Sequence, residues 1–481
     1  MLNLQTARRA GAILLMAALM FTTAAAAENP QSSTEKDQKE LAVTVYNSNI
    51  ALVRDVRQVT LPAGTVDLRF MDIAAAVNPA TVHIVSLTAP KELTVLEQNY
   101  EYDLLSPQKL LQKYVGKELT LIRTVTENNS TKEVPVKATL LALNDGPVWQ
   151  VGHQIITGMG ADRYVFPDLP ENLYSKPTLV WLLDNHHAGP QTVEASYLTN
   201  QMNWNADYVL TIGAAEKSAD LNGWVTITNH SGAAYKNAQL QLVAGELHRV
   251  YGQAGAMAQM KAMRTAEAAA PQFAQEGLSE YHLYTLGRRT TLQNNETKQI
   301  SLLASTGIKF EKHFEVDGQT YYFRSARPGQ PIKEPVQVHL KFKNAEANSL
   351  GQPLPAGTVR VYQNDSKGRV QFIGEDRIDH TPKDETLDLH IGNAFDVVAE
   401  RKQTDFQKLG SNTYEMAFEI SLRNHKDTPV TVEVNEPIGG DWTMVNSNFK
   451  YTKTAAFAAQ FTVPVEANGE SVLKYRVRVH W

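Results

Sequence analysis

The chain has 481 residues, 43% hydrophobic and 20% charged, a balance ordinary for a folded protein that excludes disorder as its overall state. Lys and Arg total 46 against 51 Asp and Glu, and this net acidity disfavours non-specific binding to nucleic acid or anionic lipid. There is no cysteine, which excludes disulfides, thiol catalysis, thiolate metal sites and a lipidated cysteine anchor.

Residues 1–27 have the three parts of a secretory leader: a short start carrying Arg8 and Arg9, the apolar core GAILLMAALMF, and a small-residue end TTAAAA. The core is shorter than the roughly 18 to 20 residues that span a bilayer, so the reading is a signal peptide cleaved near Ala27. A periplasmic or secreted protein follows, with no transmembrane segment once the signal is removed. Residues 28–40, ENPQSSTEKDQKE, are polar and are predicted to be a disordered lead-in.

Residues 41–89 read as a small N-terminal β-sandwich domain, with alternating strands at Val43 and Val45, at 52–59, at 66–70 and at 82–87. Leu61-Pro62-Ala63-Gly64 is the turn between the second and third. Over 90–175 the texture changes. Ser106-Pro107 are placed as N-cap and first residue of a short helix with Leu104, Leu105, Leu110 and Leu111 on its apolar side, and four short strands follow, KELTLIRTV, VPVKATLLAL, GPVWQVG and HQIIT. One helix leading into curled strands predicts a small inserted SH3-like barrel.

A central β-sheet domain is assigned to 176–334, organised around three alternating strands over 197–246. Tyr208, Leu210 and Ile212, then Val225 and Ile227, then Ala238, Leu240 and Leu242 mark the buried face; Trp204 and Trp224 add volume to it, and the Gly- and Asn-rich connections read as hairpins. Within this domain, 252–277 is an Ala/Met-rich insertion. Met257, Met260 and Met263 share one side if it is helical, a stripe that suits a partner or a lipid surface, while the simpler reading is a flexible excursion between two strands. KFEKHFEVDG and TYYFRS are predicted to form a hairpin around Asp317-Gly318.

Residues 335–481 hold about nine short strands separated by turn residues, the pattern of a C-terminal immunoglobulin-like β-sandwich. The last strand alternates Leu473, Tyr475, Val477 and Val479 and ends on Trp481, a signature that outer-membrane barrels share. Most strands are shorter than the roughly 9 to 11 residues a bilayer requires and aromatic content is only 8%, which favours the closing strand of a soluble sandwich. The expected fold class is all-β, mainly antiparallel, in several domains.

VYNSNIALVRDVRQVTLPAGTVDLRF, SYLTNQMNWNADYVLTI, LPAGTVRVYQND, FIGEDRIDHTPKDE, GNAFDVVAERKQTDF, LRNHKDTPVTVEV and the terminal YRVRVHW, taken in this order, resemble a bacterial family known as domain of unknown function 4139, which also contains the mucoidy-inhibitor proteins. That branch carries a long coiled coil where this chain has residues 90–190, which show no sustained heptad. The resemblance implies a fold and a cell-envelope setting, and no catalytic residues.

No G-x-S-x-G, H-E-x-x-H, Walker or EF-hand pattern occurs, so no catalytic, metal or cofactor residue is assigned. Asp184, His186 and His187 in WLLDNHHAGP have the residue types of a divalent-ion site, but strand neighbours point to opposite faces, and a solvated turn is the favoured reading. The densest polar cluster of the last domain is Glu375, Asp376, Arg377, Asp379 and His380. A carboxylate pair beside a histidine suits general acid and base work. The favoured reading is that Asp376 and Arg377, with Asp396, Glu400 and Arg401, form ion pairs that hold strands in register. The sequence therefore predicts an exported, non-catalytic envelope or surface protein that binds or scaffolds an envelope protein or glycan partner, with a link to exopolysaccharide or surface assembly implied by the resemblance. The alternative is an envelope-polymer hydrolase using the acidic/His site of the C-terminal domain.

Overall fold

In the computed structural model, which describes residues 31–127, 130–170, 173–245, 272–327 and 331–481, alternation decides the architecture, as apolar side chains at every second position bury one face of nearly every strand. The protein is all-β and mainly antiparallel, built of several sheets, none of which closes on itself among the described residues. The leader and most of the Ala/Met-rich insertion lie outside those residues. The chain forms two units, 1–39 with 56–73 and 84–195, and 40–55 with 74–83 and 196–481. It passes from one to the other inside the strands Gln38–Tyr46, Ile50–Leu61, His83–Ser86 and Gly189–Asn200, and once more after Ile73.

The first unit holds a four-stranded sheet in the order Gln31–Ser33, Gly64–Met71, Thr178–Asn185, Leu93–Glu101. Gln31–Ser33 falls in the expected lead-in, yet pairs in parallel with Leu68 to Phe70. Burial explains the difference: the fully buried guanidinium of Arg57 lies 3.6 Å from the centre of the Phe70 ring and donates to Ser33 O at 3.1 Å, a polar anchor that the hydropathy of ENPQSSTEK does not announce. Trp181 packs edge-on against Phe70 and donates its indole N–H to Gln98 at 2.8 Å.

The second element of this unit is a five-stranded sheet, Gln154–Thr157, Val148–Val151, Ser130–Ala142, Glu118–Glu127, Arg163–Val165. The helix Pro107–Lys113 precedes it, capped by Ser106 Oγ accepting from Lys109 N at 3.2 Å. Trp149, Leu121, Leu140 and Tyr114 form its core, with Trp149 stacked on Tyr164. The strand Arg163–Val165 has too few apolar residues to register as periodic.

In the second unit, Met202–Ile212 and Ala219–Asn229 form the predicted hairpin, in a five-stranded sheet with the order Glu296–Ile308, Ala219–Asn229, Met202–Ile212, Gly357–Asn364, Val370–Ile378. The third strand of the expected meander, Tyr235–Ala244, leaves it. It pairs instead with Tyr281–Leu286 and, in parallel, with Gln38–Tyr46. A period of two specifies a buried face but not a neighbour, and Asn229 sets the corner by donating to both Ala233 O and Gln293 O. Trp224 is only partly buried, because Val225 and Ile227 take the inward positions and leave 224 on the other face. Gln272 onward is described, and Phe273–Leu278, at the end of the expected insertion, is a strand beside Tyr281–Leu286.

The C-terminal sandwich faces a six-stranded sheet, Thr386–Asn393, Gln337–Lys343, Glu311–Asp317, Val430–Glu436, Ala458–Val465, Tyr451–Ala455, with a five-stranded one, Ile332–Glu334, Val397–Lys408, Thr413–Asn424, Glu470–His480, Asp441–Ser447. Phe314, Phe323, Phe418, Phe461 and Tyr475 share its core. Its membership differs from 335–481. Glu311–Asp317 belongs to it, while Gly357–Asn364 and Val370–Ile378 pair into the sheet of Met202–Ile212. The hairpin expected at Asp317-Gly318 does not form. Gly318 N donates to Asn435 O, and Thr320–Phe323 turns as a 3-10 helix that delivers Tyr322 and Phe323 to the core.

Candidate functional site

Three turns of the second unit converge on a cavity of about 370 Å³ lined by Asn49, Gln201, Asn203, Thr228 and His230. Asn49 and Gln201 both adopt positive φ, 58° and 63°, which tips the chain around the rim. Asn203 and Thr228 are cross-strand partners on the solvent side of the hairpin, opposite to buried Met202 and Trp204. His230 is fixed by its N–H to Gln201 O at 2.8 Å and its Nδ1 contact with Asn295 Oδ1 at 3.1 Å. Asn203 Oδ1 is buried, with no hydrogen-bond partner among the described residues. The lining is three carboxamides, a hydroxyl and an imidazole, which can donate to and accept from a hydroxylated ligand. The alternation in QMNWN carries the signal for Asn203; nothing in the sequence announces that the turns at Asn49 and His230 meet it.

A second polar region covers the outer face of the six-stranded sheet. Phe314, Val316, Val432 and Val434 point to the core, so His313, Glu315, Glu433 and Asn435 point outward on adjacent strands. His313 Nδ1 is 3.2 Å from Glu433 Oε1 and its Nε2 3.3 Å from Glu311 Oε2. On the next strands His339 Nδ1 is 2.8 Å from Asp388 Oδ1, and Lys341 Nζ bridges Glu315 at 2.8 Å and Asp388 at 3.3 Å. Desolvation works to lower the Lys341 pKa, but the hydrogen bond to Glu315 and the two carboxylate charges outweigh it and hold the ammonium above its usual value. The H-x-E of EKHFEVD was the legible signal here, since i and i+2 share a strand face.

The residues singled out from sequence do not form one site. Glu375 lies 3.3 Å from Arg360 Nε, and Arg360 also holds Asp207 at 2.9 Å across the parallel strand pair. Asp376 accepts from His390 N at 2.8 Å, tying Val370–Ile378 to Thr386–Asn393. Arg377 is exposed and its own N–H donates to Asp376. His380 Nδ1 accepts from Ala356 N, and Asp396 contributes its carbonyl to His425 N. Glu400 pairs with Arg423, not with Asp376 or Arg377.

Arg401 is inside the sandwich. Its side chain is 1% exposed, with Nε 2.7 Å from Glu334 and Nη1 2.7 Å from Glu436 Oε1, beneath the Tyr322 ring and near Tyr475 OH. Desolvation pushes the fully buried Glu436 carboxyl up to about 7, against the pull of Arg401. At 184–187 the two histidines part company: His186 faces Asp184 at 3.3 Å and His187 faces Glu92 at 3.6 Å, both substantially exposed. Asn185, just before them, is buried and donates to Pro62 O and His187 O, which makes the segment a braced turn.

Fold and surface together define a multi-sheet β protein whose polar residues sit mostly on sheet faces and in turn-lined hollows. Residues 193–481, more than half of the chain, match the family described as Domain of unknown function (DUF4139), and the chain belongs to that family. A comparison with curated proteins found no match. Among the described residues no helix is long and apolar enough to cross a membrane.

Proposed function

We propose that this protein is exported, with its leader cleaved near Ala27, and acts in the periplasm or outside the cell as a non-catalytic binding or scaffolding protein whose ligand is an envelope glycan. The observation that carries the reading is the cavity of Asn49, Gln201, Asn203, Thr228 and His230, whose uncharged donors and acceptors suit sugar hydroxyls. Glycoside hydrolysis uses a pair of carboxyl groups. The lining supplies amides in their place. The carboxylates that looked most reactive in sequence, Glu375 and Asp376, are engaged in cross-strand bonds, which supports a structural role for them. A link to exopolysaccharide or surface assembly fits this setting. Binding of the mature protein to an array of bacterial envelope glycans tests it: Asn203→Ala and His230→Ala should each weaken retention by about fivefold, since a lost hydrogen bond to a neutral group is worth about 1 kcal/mol. Equal retention of both variants would sink the assignment of the cavity.

A further inference from the structure

We propose that His313, Glu315 and Glu433 form a binding site for a divalent transition-metal ion, with Zn²⁺ as its natural probe, that clips the strands Glu311–Asp317 and Val430–Glu436 together. The donor atoms of the three side chains all lie within 4.8 Å of one another, and tetrahedral coordination at about 2.0 to 2.2 Å needs separations of about 3.3 Å, so small rotations close the set. Two further observations point to a cation. Glu315 and Glu433 are register partners on adjacent parallel strands and both half-buried, a like-charge juxtaposition that Lys341, shared between Glu315 and Asp388, offsets only in part and that a cation between the two carboxylates would relieve. His313, moreover, stands between two carboxylates, with Glu433 on Nδ1 and Glu311 on Nε2. A metal at Nδ1 leaves Nε2–H to donate to Glu311, the carboxylate–histidine–metal arrangement.

The outer partners are in place as well. Glu433 Oε2 accepts from Gln460 at 3.2 Å, and Glu315 accepts from Lys341 at 2.8 Å and from Asn435 at 3.4 Å, so each ligand has a neighbour that orients it. Three protein donors leave coordination positions for water. The strands they join are about 120 residues apart in sequence and pair in parallel, the less stable geometry per residue, so a clip here closes a long loop where it stabilises most. The site is independent of the cavity and of the glycan reading.

Titration calorimetry of the EDTA-treated, dialysed full chain with Zn²⁺ tests the proposal, with melting temperature followed in parallel. One ion per chain should bind at micromolar or lower concentration and raise the melting temperature. His313→Ala and Glu433→Gln should each weaken binding at least tenfold while the metal-free variants melt within a few degrees of wild type, and the double variant His186→Ala/His187→Ala should bind as wild type. Should His313→Ala fail to fold, Glu433→Gln and His313→Gln carry the same comparison. Absence of saturable binding, or binding undiminished in a folded His313 or Glu433 variant, overturns it.

Discussion

Arg401 is the clearest case of a residue whose role its neighbours in sequence misrepresent. In FDVVAERKQTDF it looks like one more surface charge, yet Ala399 and Arg401 share the inward face of their strand, and the guanidinium is matched by Glu334 and Glu436. Removing one partner of such a group leaves uncompensated buried charge, so Arg401→Met should cost about 3 to 5 kcal/mol in denaturant unfolding at pH 7.5. Glu436 sets the pH dependence. Its folded pKa, about 7, lies above the ordinary 4.5, so the folded state holds the extra proton, and its contribution to stability is full below pH 4.5 and lost as pH rises through 7. Glu436→Gln should therefore flatten the decline in wild-type stability between pH 4.5 and 7, measured as unfolding free energy against pH; an unchanged slope would show that another group titrates. Asp376 behaves differently. Because its carboxylate accepts from His390 N, Asp376→Ala should cost about 1 to 3 kcal/mol, with glycan retention unchanged.

Strands were far easier to read than their partners. Val43 and Val45, Leu52 to Val59, Val66 to Phe70 and the helix cap at Ser106 all stand where the alternation and capping residues put them, because burial of one face and a local N–H acceptor are encoded within a few residues. What alternation cannot encode is which sheet a strand joins. Tyr235–Ala244 and Gly357–Asn364 both leave the neighbours that sequence order suggests, and the parallel pairings with Gln38–Tyr46 and Met202–Ile212 span well over a hundred residues. The two polar regions were only locally legible for the same reason: the alternation around Asn203 and the H-x-E of 313–315 mark outward faces, but each region is assembled from strands or turns distant in the chain. The failed hairpin at 317–318 makes a sharper point: a Cβ at position 318 would stand 2.4 Å from Glu436 Oε2 and 3.2 Å from Asn435 O, so the glycine serves close approach to a buried carboxylate and not a tight turn. Gly318→Ala should cost about 1 to 3 kcal/mol by chemical denaturation, as overpacking does, and the loss should shrink in the background of Glu436→Ala.

At the scale of the whole molecule, an acidic, cysteine-free chain stabilises its sheets without disulfides, and the aromatic core of the C-terminal sandwich together with the cluster around Trp149 shows the burial it relies on. Membership of a family defined by sequence over residues 193–481 fixes the fold's kinship without naming a reaction. The proposal that this protein binds envelope polymers without transforming them is most directly tested by incubating the purified mature chain with isolated peptidoglycan and exopolysaccharide, then measuring both co-sedimented protein and soluble fragments by mass spectrometry. The account predicts protein in the pellet and polymer of unchanged mass. Protein left in the supernatant, or fragments released in proportion to added protein, would contradict it.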